Sequence, residues 1–317
     1  MTSGPDVATP GSGPLGVDPQ QGAPAPTTED TGVSLWQDAW RRLVRNPVAI
    51  VGAVIILAFV VVALLAPVLA PYAGEALPGR GEIRPGALPG PSEDYPLGLD
   101  RFGGDLYSKL LYGARASLVI GIVSTALGLA GGVALGLLSG AFGGWVDVAV
   151  MRVVDIMLSV PSLLLAVSIA AVLGQRPSSV MIAIGVAQVP IFARLLRGSM
   201  LAQRSSDYVL AARSLGLRNR TIVMSHVFPN SVGPVIVQAT LVLATAVIDA
   251  AALSFLGLGG GVPQTAEWGR MLTYALNDLE TAPRLAFWPG LCITITALGF
   301  TLLGESLREA LDPKFRR

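Results

Sequence analysis

Charged residues are scarce in this sequence. Only 14% of its 317 residues are Asp, Glu, Lys or Arg, compared with about 25% in ordinary soluble domains. By contrast 52% are hydrophobic, and the mean hydropathy is +0.62. The net charge is +1, and no basic stripe lies outside the flanks of the apolar runs. This composition indicates a membrane protein and argues against nucleic acid as a partner.

Cysteine, histidine and lysine are nearly absent. Cys292 is the single cysteine, so no intrachain disulfide can form. His226 is the single histidine, which excludes HExxH motifs and histidine-rich metal clusters, and a Ser/His/Asp triad could form only around it. Lys109 and Lys314 stand in no phosphate-binding loop. We therefore predict no catalytic residue, no metal site and no cofactor bound by this chain itself.

Long uncharged runs dominate the rest of the sequence. A helix needs about 20 apolar residues to cross a bilayer. Six runs meet or approach this length, and the fourth is the shortest: Val48–Ala70, Ala116–Ala141, Ile156–Leu173, Pro177–Ala193, Val232–Leu258 and Leu285–Gly304. The prediction is an all-α membrane protein with six transmembrane helices in contact with the lipid bilayer.

The composition of the segments between these runs predicts the organisation of the chain. Residues 1–33 are rich in Pro, Gly and Thr without periodicity, which is typical of a disordered tail rather than of a signal peptide. Residues 34–46 predict an interfacial amphipathic helix carrying tryptophans. The remaining predicted segments are a first transmembrane helix at 47–71, an external loop at 72–112 that ends in a short helix at 105–112, a five-helix core at 113–307 and a C-terminal tail at 308–317.

Lysine and arginine predict the orientation. They are more numerous in the segments that are internal when the N-terminus is internal, and Arg41, Arg42 and Arg45 lie directly before the first apolar run. The positive-inside rule therefore predicts that both termini and the polar stretch at residues 205–230 face the cytoplasm. The predicted location is the cell membrane.

Two features of the apolar runs predict helix geometry. Gly128, Gly132, Gly136 and Gly140 recur every four residues, which places them on one stripe where a neighbouring backbone can approach closely. Proline at 161 and 190 removes backbone hydrogen bonds inside two predicted spans, so we expect static kinks there.

Polar residues within the apolar runs are candidates for a pathway or for the bundle interior. Arg152 and Asp155 are three residues apart, which favours a local ion pair. Asp249 has no such partner, and we leave open whether it faces a pathway or a hydrogen-bonding neighbour. Gln188 and Gln238 are explained by interhelical hydrogen bonds. The two aspartates lack the Tyr-Asp and Gly-x-Gly-Asp settings of intramembrane proteases.

The stretch Asp207–Pro229 predicts two short helices outside the membrane. Asp207 is placed to cap the first helix and Gly216 to end it in the left-handed conformation. Tyr208, Ala211, Ala212 and Leu215 share one predicted face, with Val209, Leu210 and Leu217 on the other. The second predicted helix begins at Asn219 or Thr221 and ends before Pro229. A helix that is apolar on two sides requires two partners.

The spacing Ala211-Ala212-x3-Gly216-x9-His226-x-Phe228-Pro229 resembles the EAA loop of permease subunits in ATP-binding-cassette (ABC) importers. Other stretches resemble the dipeptide and oligopeptide permeases of the "C" type, so that the likeness covers roughly residues 35–317: Pro96–Arg115, Ala193–Gly198, Leu253–Gly259 and Leu311-Asp312-Pro313. Departures from the motifs are Leu210 for a glutamate, His226 for an isoleucine, Leu99 for a threonine and Gly104 for an arginine.

The resemblance implies a type I ABC importer permease fold and a non-catalytic subunit that forms half of a peptide pathway. It implies a second homologous permease, an external substrate-binding protein and two ATPase subunits that carry ATP and Mg²⁺. It also assigns Asp207–Pro229 to contact with an ATPase. Related permeases carry nickel, glutathione or other small solutes, and these remain alternatives. A secondary transporter without an ATPase is a further alternative from a different class.

Overall fold

The computed structural model describes residues 35–83, 88–262 and 264–311. The predicted tail at 1–33 and most of the C-terminal tail lie outside these residues. Within them the chain forms eleven α-helices: α1 Leu35–Arg45, α2 Pro47–Leu69, α3 Leu106–Phe142, α4 Gly144–Leu158, α5 Ser162–Leu173, α6 Pro177–Arg204, α7 Asp207–Ser214, α8 Asn219–Ile222, α9 Phe228–Phe255, α10 Trp268–Ala275 and α11 Arg284–Leu311.

Five helical stretches are long and apolar enough to cross a membrane. They are α2, α3, α6, the continuous stretch Asn219–Phe255 that contains α8 and α9, and α11. The pair α4 and α5 passes the same test as a unit but is bent by 91° at a short break. The predicted six spans are therefore found when this bent pair counts as one, and the all-helical prediction is confirmed.

The second span begins earlier than predicted. The sequence suggested an external loop up to residue 112 that ended in a separate short helix, and a span from Ala116. The structure has one 37-residue helix from Leu106 to Phe142. Asp105 caps it by accepting a hydrogen bond from the Ser108 N–H at 2.9 Å, and no proline follows within the helix. The cap and the span thus belong to the same element.

The third span is broken rather than kinked. Its helices α4 and α5 flank Pro161, which has an extended ψ of 131° and precedes the first residue of α5. Proline lacks an N–H and disfavours helical geometry in the residue before it, so the chain turns at this point. Pro190, in contrast, remains within the continuous helix α6.

Three further helical stretches extend beyond the predicted spans, at the end of α6, at the start of Asn219–Phe255 and at the end of α11. The fourth span was predicted to end at Ala193, but α6 continues to Arg204. The sixth was predicted to end at Gly304, but α11 continues to Leu311. The fifth was predicted from Val232, but its helix begins at Asn219. Apolar runs mark only the hydrocarbon thickness, and these helices extend past it with polar residues.

The glycine stripe of α3 is a contact surface with α6. A β-carbon added at Gly132 would lie 2.3 Å from the Phe192 Cβ and 2.8 Å from the Val189 carbonyl oxygen. At Gly136 it would lie 2.8 Å from the Ala193 carbonyl oxygen. Backbone therefore packs directly against backbone along the α3–α6 pair, as the four-residue spacing predicted.

The short helix α10 packs against α2 and α3 through Trp268. Trp268, which is fully buried, donates from its indole N–H to the Leu110 carbonyl at 3.1 Å. Its ring meets Phe59 edge-on at 5.6 Å between centroids. Gly113 leaves room for it, because a β-carbon there would lie 2.6 Å from the indole Cδ1. Trp268 thus fixes the position of α10 on the bundle.

Glu267 caps α10 with both carboxylate oxygens. Oε1 accepts from the Gly269 N–H at 2.8 Å and Oε2 from the Arg270 N–H at 2.9 Å. Only 4% of the residue is exposed. Burial raises the pKa of this carboxyl above its usual range, although the two N–H groups act in the opposite direction.

We expect Gly132→Ala to lower the melting temperature of the purified protein in lipid nanodiscs. The added methyl group would collide with Phe192 and the α6 backbone, and overpacking of this kind costs about 1–3 kcal/mol. Gly290→Ala in α11 is the control, because a β-carbon there meets nothing within 4 Å. Equal melting temperatures for the two variants would contradict the direct packing of the α6 backbone against Gly132.

We expect the Glu267→Gln variant to gain stability relative to the parent as pH rises from about 4 to about 8. The raised pKa means that Glu267 stabilises the fold fully only below its unfolded pKa of about 4.3, and this contribution is lost as pH rises through the folded value. Glutamine cannot titrate. The measurement is the difference in melting temperature at each pH, with Glu280→Gln at an exposed position as control. A difference that does not change with pH would rule out the effect.

Candidate functional site

The predicted contact segment folds as the helix α7, a left-handed turn and the helix α8. Gly216 has φ +77°, as its predicted role as a helix terminator requires. The Leu217 N–H bonds to the Ala212 carbonyl at 3.2 Å and the Gly216 N–H to the Arg213 carbonyl at 2.9 Å. These two bonds end α7 in the geometry known as a Schellman motif.

The start of α7 differs from the prediction. Asp207 is the first helical residue, and Ser206 is the capping residue. The Ser206 hydroxyl donates to the Gln203 carbonyl at 2.6 Å, so no side chain caps the helix. The Asp207 carboxylate still lies in the first turn, where the helix dipole favours negative charge.

The division of α7 into faces also differs from the prediction. Val209 and Ala212 are buried against α6 and the stretch that leads into α9. Tyr208, Ala211 and Leu215, predicted to share a face with Ala212, are exposed, and so is Leu210. The predicted assignment failed because the helix has only eight residues, and its two apolar sides are equivalent until the bundle is known.

The exposed side of this segment is apolar. Leu215 is 82% exposed and Leu210 51%, with Leu217 and Tyr208 beside them at 41% and 39%. Leu210, which stands at the glutamate position of the EAA pattern, thus presents a hydrocarbon side chain. We call these four residues the α7 surface. It lies beyond the end of α6 and is not covered by any residue that the structure describes.

The second predicted helix does not end before Pro229. The helix α8 continues through the π-helical turn Val223–Val227 into α9. The Phe228 N–H bonds to the Val223 carbonyl, five residues back. Pro229 cannot donate a hydrogen bond, and the wider turn before it accommodates the proline at the start of α9. His226 lies within this turn and is partly buried.

A groove of about 670 Å³ opens between α4, α6 and α9. Its walls are Leu158, Ile191, Leu195 and Pro234, with Arg194 and Gln238 as the main polar residues. We call it the α6–α9 groove. Of the four polar residues predicted for a pathway or the bundle interior, Gln238 is the one that lines it.

The local ion pair predicted between Arg152 and Asp155 is wrong. The Asp155 carboxylate instead bonds to the Arg194 guanidinium of α6 at 2.5 Å. One turn further along, Arg197 donates two hydrogen bonds to Asp147, at 2.5 and 2.6 Å. These two ion pairs join helix α4 to α6. Their partners are 39 and 50 positions apart in the sequence, so no local sequence pattern indicates them.

The other predicted polar residues lie apart from the groove. Gln188 is 4% exposed and packs against Gly128, and its amide forms no hydrogen bond with another described residue. The interhelical hydrogen bond predicted for it is therefore absent from the described part of the chain. Asp249 is partly buried in α9 and has no ion-pair partner among the described cations. The structure does not bring these two residues together with Asp155.

The stretch at residues 96–115, which the sequence predicted to be external, is held by a buried ion pair. Lys109, 3% exposed, bonds to Asp100 at 2.5 Å. The two departures from the family pattern are in close packing contacts, Gly104 with Lys109 and Leu99 with Gly79. A β-carbon at Gly104 would lie 2.5 Å from the Lys109 Cε, and one at Gly79 would lie 2.1 Å from the Leu99 Cδ1. Leu99 and Gly104 are therefore accommodated by local packing.

The arrangement is that of a multi-pass membrane protein with an exposed apolar surface at one end of its helix bundle. Residues 132–317 match the family described as binding-protein-dependent transport system inner membrane component, and residues 34–78 match the N-terminal transmembrane domain of oligopeptide transport permease C. The chain belongs to this family of ABC transporter permeases, as the motifs in its sequence indicated.

Relatives match along nearly the whole chain. The dipeptide transport system permease protein DppC of Alkalihalophilus pseudofirmus is 41% identical over 300 residues, covering 94% of this chain and 96% of its own. The glutathione transport system permease protein GsiD of Pectobacterium atrosepticum is 38% identical over 295 residues, covering 93% and 96%.

A solved structure shares the fold. An inward-facing structure of the MetNI methionine ABC transporter matches with a TM-score of 0.53 and 20% identity, covering 64% of this chain and 96% of its own. The fold is that of a type I ABC importer permease, and the chain is a multi-pass protein of the inner membrane.

Proposed function

We propose that this chain is one of two homologous permeases that together form the pathway of an ATP-driven peptide importer. Its relative DppC, named for dipeptide transport, is similar over 94% of the chain, which is the observation that carries the substrate class. Two ATPase subunits, which hold the ATP and Mg²⁺, and an external substrate-binding protein complete the complex. This chain performs no bond chemistry.

The α7 surface is the proposed contact with an ATPase subunit. One side of α7, at Val209 and Ala212, is buried in the bundle. The other side presents Leu210, Leu215 and Leu217 to the outside. Exposed apolar patches at the end of a bundle are typical of protein interfaces. With leucine in place of the motif glutamate at position 210, this contact depends on apolar packing.

Movement of the ATPase reaches the pathway through one continuous helical stretch, which begins next to the α7 surface and lines the α6–α9 groove. The stretch Asn219–Phe255 runs without a break from the end of the α7 turn to α9, whose Pro234 and Gln238 line the α6–α9 groove. A displacement at Asn219 is therefore transmitted along a continuous helix. In the proposed complex, residues 205–230 and both termini lie in the cytoplasm, consistent with the positive-inside bias of the sequence.

Glutathione is the second candidate substrate within the same class. GsiD proteins, named for glutathione transport, are 38–40% identical to this chain over about nine-tenths of its length or more. Nickel and other small solutes remain less supported. Ligand-binding measurements on the partner substrate-binding protein, with dipeptides and glutathione as probes, distinguish these substrates.

We expect Leu215→Ser and Leu210→Ser to reduce retention of the ATPase subunits during gentle detergent purification. Each change removes apolar area from the α7 surface, and truncation of a side chain at the centre of an interface costs about 2 kcal/mol or more. Leu276→Ser is the matched control, because this leucine is 54% exposed at a different end of the bundle. If the unaltered chain purifies without any ATPase subunit, the importer proposal fails and a secondary transporter becomes the better reading.

We expect Gly216→Val to lower the amount of peptide imported per ATP hydrolysed in reconstituted vesicles. A β-branched residue at φ +77° costs about 1–3 kcal/mol and displaces the turn that aligns α7 with α8. Gly216→Asn is the control, because asparagine tolerates the left-handed conformation. Identical coupling in the valine and asparagine variants would show that this geometry is not required.

A further inference from the structure

Arg194 stands out because it is a half-exposed cation directly after the apolar run of α6. Its side chain is 57% exposed, and it lies ten residues, or about 15 Å of helix, before the end of α6 at Arg204. Charges at such positions are costly unless they face water or a partner. The exposed residues of α2, by comparison, are apolar: Val54, Leu57, Val61, Leu64 and Val68. Arg194 thus gives the α6–α9 groove a charged group that the exposed surface of α2 lacks.

The ion pair with Asp155 leaves most of the guanidinium unused. Arginine has five N–H donors. The bond to Asp155 joins only one nitrogen of Arg194 to one oxygen of the carboxylate. Asp155 is itself 53% exposed, so the pair lies in the open. Such a pair holds the arginine in a fixed position while donors remain for a second acceptor.

The rest of the groove suits a small molecule that is apolar along its length and polar at its end. Leu158, Ile191, Leu195 and Pro234 provide apolar walls, and the Gln238 amide can both donate and accept a hydrogen bond. The groove has a volume of about 670 Å³ and is open along one side, as a transient site requires.

We infer that the α6–α9 groove is a transient binding site for the transported peptide, in which the free guanidinium donors of Arg194 bind the C-terminal carboxylate of the peptide. Side chains of the peptide contact the apolar walls, and Gln238 bonds to its amide groups. Asp155 acts as a positioning residue, because it holds Arg194 at the wall. This inference rests on the proposed function and adds a substrate-recognition site within the permease itself.

The first test uses the complete complex, with its ATPase subunits and binding protein, reconstituted in vesicles. We expect Arg194→Gln to lower uptake of alanyl-alanine about tenfold or more, because a charge-assisted bond to the carboxylate is lost. Arg194→Lys should give an intermediate loss, since lysine keeps the charge without the planar fork. Asp155→Asn removes the positioning contact but keeps the cation, so uptake should fall clearly less than in Arg194→Gln.

The two variants together distinguish a substrate-binding role of Arg194 from a purely structural role of its ion pair with Asp155. If Asp155→Asn and Arg194→Gln lose uptake equally, the ion pair has only a structural role and the inference fails. If Arg194→Gln transports normally while ATPase subunits co-purify and hydrolyse ATP, the inference fails but the proposed importer function stands. Absence of ATPase subunits from the parent complex would instead contradict the proposed function.

The second test detects occupancy directly. Ser199 lines the groove, and a Ser199→Cys change in a Cys292→Ala background provides one reactive thiol. We expect a charged, water-soluble thiol reagent to label it in the complex, and alanyl-alanine or S-methylglutathione, whose blocked thiol does not consume the reagent, to slow the labelling at least about threefold. Acetate at the same concentration should not, because it lacks the groups that contact the walls and Gln238. Protection by only one of the two peptides would identify which of them the groove accepts.

Leu57→Cys on α2, in the same background, is the control for lipid exposure. Leu57 is 62% exposed in an apolar surface and should remain unlabelled. If Ser199→Cys is equally unlabelled, lipid or the second permease covers the groove and the inference is overturned. If it is labelled but neither peptide protects it, the groove is open to water without binding substrate, and the inference is likewise overturned.

Discussion

The close approach of α3 and α6 is the constraint on which the rest of the bundle depends. Apolar side chains gain little by leaving lipid for one another, so helices in a membrane associate mainly through tight packing. Gly128, Gly132 and Gly136 let the α6 backbone lie directly on α3. The helices α9, α5 and α4 then pack against this pair. The groove at Arg194 and the buried side of α7 both depend on where α6 is held.

A second level of organisation is electrostatic. The amphipathic helix α4 is joined to α6 by Asp147–Arg197 and Asp155–Arg194. The Ser139 hydroxyl of α3 also donates to Asp147. The broken third span is therefore anchored on one side of Pro161 by ion pairs and on the other side by the apolar packing of α5. Proline allows the turn, and the ion pairs determine where α4 lies after it.

The sequence predicted well the features that depend on nearby residues. Spans follow from the length of apolar runs, and the glycine stripe follows from four-residue spacing. The conformation of Gly216 follows from the turn that surrounds it. The coupling role of Asp207–Pro229 came from a motif and remains a proposal, although the structure does give the segment one buried and one exposed side.

Features that depend on distant residues could not be read from the sequence. The partner of Asp155 is 39 residues away on another helix, so the adjacent Arg152 seemed the better choice. The buried side of α7 is determined by Leu196 and Val227 of other elements, which share its apolar cluster. Pro229 lacks an N–H and so locally predicts the end of a helix, but the wider π turn before it lets the helix continue through the proline. Each error came from a local rule that tertiary packing overrides.

The π turn at Val223–Val227 also defines how the two ends of its helix are aligned. A π turn contains one residue more than the α-helical turn it replaces. Each residue of an α-helix corresponds to about 100° of rotation and 1.5 Å of rise. The direction in which α8 leaves the bundle therefore depends on the number of residues in this turn as well as on their identity. Chain length between Ile222 and Phe228 is itself a structural determinant, and a single insertion or deletion there would reorient α7 without changing any residue of its surface.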